Sequence, residues 1–240
     1  MRLTRGRRGK LVFFAALALL GFSLLRVAAW RPLALVGEPP DDGYARAAGV
    51  VHVHTTLSDG GGTPEEVIRA ARATGLDFLG ITDHNNVDAK PFEGDHDGLL
   101  VLVGSELSTP VGHLVGLGLD RDPAWRFSGD GLDSLEDVRD LGGVPFAAHP
   151  FSGRADLRWN GWDLPGPWGI ELLNGDSDAR RAGPRVLLTA GLYRLNPGYA
   201  LLRGLPAPED ALRRWDEMLA KRDVVGLAGS DAHSRLALTK

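Results

Sequence analysis

The chain has 240 residues, 27 Lys and Arg against 31 Asp and Glu, and no cysteine. Disulfides and thiolate metal sites are excluded, so any bound metal must be held by histidine and carboxylate. The net charge of −4 is uneven: residues 1–31 carry seven basic groups and no acidic one, leaving 20 basic against 31 acidic groups, about −11, on the rest, which argues against an extended nucleic-acid surface.

Residues 1–31 read as a signal or anchor segment. Arg2, Arg5, Arg7, Arg8 and Lys10 precede an apolar run from Leu11 to Leu25. Fifteen helical residues span roughly 22 Å against a hydrocarbon core of ~30 Å, and Val27 to Trp30 lengthen the run with Arg26 snorkelling. Val27-Ala28-Ala29 also fits a cleavage site. An uncleaved membrane anchor is the preferred reading, a secreted protein after signal cleavage the alternative. The excess of basic residues puts the amino terminus in the cytoplasm and the body outside it, periplasmic or extracellular. Residues 32–48, broken by Gly37, Pro39, Pro40 and Gly43, form a linker, and 49–240 a single domain.

That domain is expected to open with a strand over Gly49–Thr55. His52 and His54 are two residues apart there, and such residues share a face of a strand. Asp59 follows in a glycine-rich turn. Thr63-Pro64-Glu65-Glu66 starts a helix, with Thr as cap and Glu at the third position, and Gly75 ends it. A second strand, Phe78–Thr82, runs into Asp83-His84. Residues 86–98 are a polar loop or short irregular helix, with His96 a solvated side chain. Strands follow at Leu99–Val103, before Glu106, and at Val111–Leu119, carrying His113. A weak helix around Ser134–Leu141 precedes the strand Val144–Ala148 and His149-Pro150. Residues 151–168, Trp- and Gly-rich, read as a surface loop over the site. After a strand at Gly169–Leu173, residues 178–205 are partly helical. A helix over Pro208–Arg222 presents Leu212, Trp215 and Leu219 on one face. The last strand, Asp223–Ala228, leads to Asp231 and His233. The alternation is that of an α/β protein, a parallel barrel or near-barrel of about seven strands, whose active sites lie at the carboxyl ends of the strands.

Six of the seven histidines and the carboxylates of Asp59, Glu106 and Asp231 stand at or just after apolar strands. Buried together without a cation, so many polar groups would cost about 1–3 kcal/mol for each left unpaired. Divalent ions resolve this, and His/carboxylate donors suit Mn, Zn or Fe.

The segments HVHTTLSDG, GITDHN, His149-Pro150 and GSDAH, with GSE and GHLVG between them, resemble the PHP (polymerase and histidinol phosphatase) domain family. The resemblance implies a distorted (β/α)7 barrel with two or three divalent ions. It implies one ion on His52, His54, Glu106 and Asp231. A second would share Glu106 with His113 and His149, and a third would sit on Asp59, His84 and His233. The expected activity is a metal-dependent phosphoesterase acting on a small phosphorylated substrate through a water made acidic by the metal. Three ions against three carboxylates leave the pocket near +3, suited to phosphate. Asp83 is a candidate catalytic proton shuttle or ligand orienter, and Arg154 a candidate contact to a phosphate oxygen. Two alternatives remain. An amidohydrolase-type C–N hydrolase also opens on HxH, but it would need a bridging lysine at a strand end, where neither Lys90 nor Lys221 stands. A non-catalytic, metal-stabilised binding module is the other.

Overall fold

The computed structural model describes residues 5–32, 42–121, 129–165 and 168–234. The chain divides into two compact units: Met1–Asp41 with Ala182–Pro206, and Asp42–Arg181 with Ala207–Lys240. The sequence reading kept 182–206 within one domain of 49–240; the structure groups that stretch with the amino-terminal segment.

In chain order the elements are α1 (Arg5–Ala28), β1 (Gly49–Val53), α2 (Pro64–Ala73), β2 (Phe78–Ile81), β3 (Gly94–His96), β4 (Leu99–Val103), β5 (Ser105–Thr109), β6 (Gly112–Leu117), α3 (Gly131–Asp140), β7 (Val144–Ala147), β8 (Gly169–Asn174), α4 (Gly175–Ala182), α5 (Arg185–Tyr193), α6 (Pro197–Gly204), α7 (Glu209–Leu219) and β9 (Gly226–Ala232). Helix α2 begins where its capping box predicts. The Thr63 hydroxyl accepts from the Glu66 amide, and the Glu66 carboxylate accepts from the Thr63 amide. Ile68 and Ala71 turn inward. Helix α7 shows a different face from the one expected: Ala211 and Met218 are buried, while Leu212 and Leu219 are exposed.

The strands form one mixed sheet in the order β3-β4-β2-β1-β9-β8-β7-β6-β5. Pairs β1–β2, β1–β9, β2–β4, β7–β8 and β8–β9 are parallel; β3–β4, β5–β6 and β6–β7 are antiparallel. A regular strand–helix alternation is therefore not what forms. No helix separates β4 from β5, and β6 runs against both its neighbours. The stretch 86–98, expected as loop or irregular helix, contains a 3₁₀ turn at Lys90–Phe92 and the edge strand β3.

The two ends of the sheet are tied together. β4 passes through Gly104 straight into β5, whose Glu106 bridges in parallel to His84 beyond β2. The Gly104 amide donates to the Ile81 carbonyl at 2.8 Å. A Cβ on Gly104 would collide with the carbonyl oxygen of Gly116. The sheet thus curls into a mixed half-barrel. One apolar cluster, with Leu79, Ile81, Leu99 and Val101, packs under α2. Another joins Leu114, Leu135, Val138 and Ile170 to Trp159 and Trp168. Those two tryptophans are almost fully buried, so the stretch expected as a surface loop instead pins itself into the core.

Because the Gly104 backbone touches Gly116 directly, Gly104→Ala should overpack the crossing by about 1–3 kcal/mol and lower Tm by roughly 2–12 °C. Thermal unfolding followed by circular dichroism checks this; an unchanged Tm would reject the close crossing.

Candidate metal centre

The centre is built around Glu106, placed by the β4–β5 passage and almost fully buried. Its Oε2 lies 3.2 Å from His52 Nε2, 3.1 Å from His54 Nε2 and 3.3 Å from His84 Nδ1. Its Oε1 lies 2.8 Å from both His113 Nδ1 and His149 Nε2. Asp231 Oδ1 sits 3.5 Å from His52 Nε2 and 3.3 Å from His54 Nε2. Further out, Asp59 Oδ1 is 3.7 Å from His54 Nδ1, 3.7 Å from His84 Nε2 and 3.3 Å from His233 Nε2.

All nine predicted ligands are thereby brought together. Eight of them fall into three groups able to hold an ion: His52, His54, Glu106 and Asp231; His54, Asp59, His84 and His233; and His84, Glu106 and His113. The first has the membership the resemblance implies. The second adds His54. In the third, His84 stands where the resemblance puts His149, which instead meets the same Glu106 oxygen as His113.

Backbone conformation at these positions departs from plain strand geometry. His52 has φ 60°, Asp231 φ 51° and His149 φ 25°. Residues other than glycine are uncommon there, and such strain persists only where the surroundings hold it. The register of β1 against both neighbours shifts around His52. The two histidines of HVH converge on Glu106, but through an irregular strand rather than simple alternation. Likewise β9 ends four residues later than the expected strand, so Asp231 lies inside it.

Glu171 was missed. Its Oε1 takes His52 Nδ1 at 2.9 Å, and its Oε2 accepts the His149 amide at 2.6 Å and Asn174 Nδ2 at 2.9 Å. It thus fixes which face of His52 looks at Glu106, the support metal-bound histidines ordinarily receive. The available signal was an acid inside the apolar run Gly169–Leu173, where a buried charge needs a partner.

Two candidates are not brought to the cluster. The Asp83 carboxylate accepts from the Thr55 amide at 2.8 Å, the Thr55 hydroxyl at 2.7 Å and the Ser58 hydroxyl at 2.5 Å. Its oxygens are spent on holding the loop after β1. Arg154 is exposed and paired with Asp156. The order TDHN and the position after His149-Pro150 suggested more direct roles, because sequence cannot show which way a side chain turns.

Divalent ions fit these residues. Donors 2.0–2.2 Å from an ion are separated by about 2.9–3.6 Å in tetrahedral or octahedral geometry, and the first group shows 3.1–3.5 Å. His52 Nε2, His54 Nε2 and His84 Nδ1 are buried without a hydrogen-bond partner, which a buried polar atom rarely tolerates. Electrostatics agree. Burial opposes charge on His54, but the adjacent carboxylates of Asp231 and Glu106 outweigh it and raise its pKa to about 9. Burial likewise opposes ionised Asp231, yet the adjacent His54 and His52 rings hold it well below the usual carboxylate range. Glu106 is also held well below that range, its burial overcome by His52, His113 and His149. His84 is shifted down, chiefly by burial.

The PHP domain profile matches residues 51–138. An uncharacterized protein of Methanocaldococcus jannaschii is 30% identical over 117 residues, 42% of this chain and 67% of that protein. The chain belongs to the PHP domain family. Among solved structures, a protein of Bifidobacterium adolescentis provisionally described as a metal-dependent phosphoesterase superposes with TM-score 0.54 and 18% identity, covering 82% of this chain and 89% of its own. An amidohydrolase from Chromobacterium violaceum, with bound sulfate and no metal, gives TM-score 0.51 and 17% identity over 78% of this chain and 88% of its own. Both are similar in fold. The profile match takes in six of the nine expected ligand positions, His52 to His113; the sheet brings His149, Asp231 and His233 to them.

At pH 7.5 a His54 with pKa about 9 holds its proton, and an imidazole must shed that proton to bind an ion. Loading the metal-free PHP domain with Mn or Zn should therefore release at least about one proton, and affinity should rise with pH up to about 9. Calorimetry in buffers of different ionisation enthalpy, with elemental analysis for at least two ions per chain, measures both. Glu171→Gln should weaken binding about 10–100-fold; an unchanged affinity would remove Glu171 from the centre.

Proposed function

We propose that this PHP domain hydrolyses a phosphomonoester or small phosphodiester, using two or three divalent ions, Mn, Zn or Fe. The observation that carries the reading is the set of three overlapping donor groups joined by Glu106, His54 and His84. Bound there, divalent ions would polarise phosphoryl oxygens and supply a hydroxide nucleophile near neutral pH. The chain's own part is to fix that array. Glu171 orients His52, Asp83 fastens the Thr55–Ser58 loop, and the first group is buried while Asp59, His84 and His233 are partly open to solvent. Substrate therefore approaches from the Asp59 side.

Charge bears on the number of ions. The structure adds buried Glu171 to the carboxylates of Asp59, Glu106 and Asp231. Against four negative charges, three divalent ions leave about +2 rather than +3, and two leave about 0. Only the trinuclear state keeps a positive pocket, so phosphate binding favours three ions.

The serines next to ligands have their hydroxyls engaged. Ser58 donates to Asp83, Ser105 to the Asp83 carbonyl at 3.1 Å and Ser230 to the His52 carbonyl at 3.0 Å. None lies on a histidine, which leaves water as the attacking group. The amidohydrolase-like fold supports C–N hydrolysis as a second reading. Against it, Lys90 is tied to Glu93 and the Leu119 carbonyl and Lys221 is exposed; neither offers a bridging ligand.

We further read α1 as the membrane anchor. It contains a 20-residue stretch, Gly9–Ala28, long and apolar enough to cross a bilayer, about 30 Å at 1.5 Å per residue. Protease added to spheroplasts should degrade the PHP domain; full protection beside a cleaved periplasmic control would refute the outward orientation.

A panel of phosphomonoesters, short diesters and amides tests the reaction. Asp231→Asn, which removes a charge from the most buried donor group, should slow phosphoester turnover at least about a hundredfold. A single turnover of a substrate chiral at phosphorus should invert its configuration, as one direct attack by water requires. Retention would instead indicate a phosphoryl-enzyme, with Ser58 beside Asp83 the first residue to test.

A further inference from the structure

Residues 182–206 contain Arg185, Arg194 and Arg203 and no acidic group. With residues 1–41 they make a unit of ten basic and two acidic groups, about +8. The other unit holds 17 against 29, about −12. The overall −4 is the sum of two strongly opposed parts.

Helices α5 and α6 pack on each other through small residues. Thr189, Ala200 and Gly204 are buried, and a Cβ at Gly204 would strike Thr189. The large apolar side chains are left outside: Leu187 is 76% exposed, Leu188 66% and Leu202 66%, with Tyr193, Leu195 and Leu201 also exposed. A helical hairpin in water buries its leucines; this one buries its small residues and displays them.

The hairpin is joined to the end of α1. Asn196 Nδ2 donates to the Val27 carbonyl at 2.9 Å and the Trp30 carbonyl at 2.8 Å, while its Oδ1 accepts the Tyr199 amide at 3.0 Å. One side chain thus satisfies carbonyls at the end of α1 and caps α6. Trp30 and Tyr199 meet edge to face at 5.7 Å. Trp and Tyr are enriched at the level where a spanning helix leaves the bilayer.

We infer that α5 and α6 form an interfacial hairpin that seats Leu187, Leu188 and Leu202 in the lipid surface beside α1, with Arg185, Arg194 and Arg203 at anionic headgroups. The partner is a bilayer containing acidic lipid. Exposed leucines supply the apolar face, Arg185, Arg194 and Arg203 with no acidic group in 182–206 supply charge complementarity, and Asn196 makes the surface continuous with the end of α1. The inference rests on the anchor reading of α1, and the experiment separates the two.

The chain has no cysteine, so single cysteines report cleanly. Leu187→Cys, Leu202→Cys, Leu17→Cys in α1 and Glu65→Cys in α2 are introduced into the full chain. Each is labelled with bimane and reconstituted in vesicles of phosphatidylcholine and phosphatidylglycerol with doxyl lipid quenchers. Labels at 187 and 202 should be quenched at least about twofold more than at 65, as a face seated roughly 5–10 Å into the headgroup boundary requires. Omitting phosphatidylglycerol should lessen this at 187 and 202 but not at 17. Quenching at 17 alone overturns the hairpin and leaves the anchor. Quenching at 187 and 202 without 17 keeps the hairpin and overturns the anchor. A blue shift at 187 and 202 without quenching means that protein covers the face, a second copy or another partner, and overturns the lipid assignment.

Discussion

One buried carboxylate shared by five imidazoles governs this molecule. Burying Glu106 would cost several kcal/mol if it stood alone. Its surroundings make the charge favourable: five histidine nitrogens lie within 3.3 Å of its oxygens, and the carboxylate in turn raises the pKa of His52, His54 and His149 against their burial. Protons and divalent ions compete for the same nitrogen lone pairs. The array is therefore held together either by protons or by metal, and is poorly satisfied by neither.

The same constraint accounts for the backbone. Bringing five rings from β1, the turn after β2, β6 and the end of β7 onto one carboxylate requires the sheet ends to meet, which the passage through Gly104 achieves. It also requires side chains to leave strands at angles that regular geometry does not provide. His52, His149 and Asp231 all lie at positive φ, each beside an atom that must face Glu106 or an ion. Strain there is sustained by the hydrogen bonds of Glu171, which touches both His52 and the His149 backbone.

The clustering of these nine residues was legible in the sequence because histidine is scarce and six of seven stand at the ends of apolar runs. Capping chemistry likewise fixed α2 before any tertiary contact was considered. What escaped depends on contacts distant in the chain. The register shift at His52 arises from two neighbouring strands at once. Glu171 looks like an ordinary strand residue until His52, 119 positions away, is placed against it. Trp159 and Trp168 read as loop aromatics because their burial is decided by Leu114 and Ile170. Asp83 adjoins His84 in sequence and Arg154 follows His149 by five residues, yet their partners, Thr55 with Ser58 and Asp156, turn them elsewhere.

Charge segregation connects the two units to the chemistry. The unit carrying the centre is about −12, and its field opposes the approach of any anion beyond the Debye length of ~8 Å only weakly. A compact phosphate that passes this barrier meets a pocket that is positive only when all three donor groups are filled. A long polyanion would remain against the acidic exterior along its whole length, where the repulsion adds up. Under the activity proposed above, such an arrangement would select by size as well as by charge: the barrier acts in proportion to what stays outside, and the attraction acts only on what enters. Small phosphoesters would meet both conditions, so the charge of the surrounding unit, and not the candidate metal centre alone, bears on the class of substrate proposed.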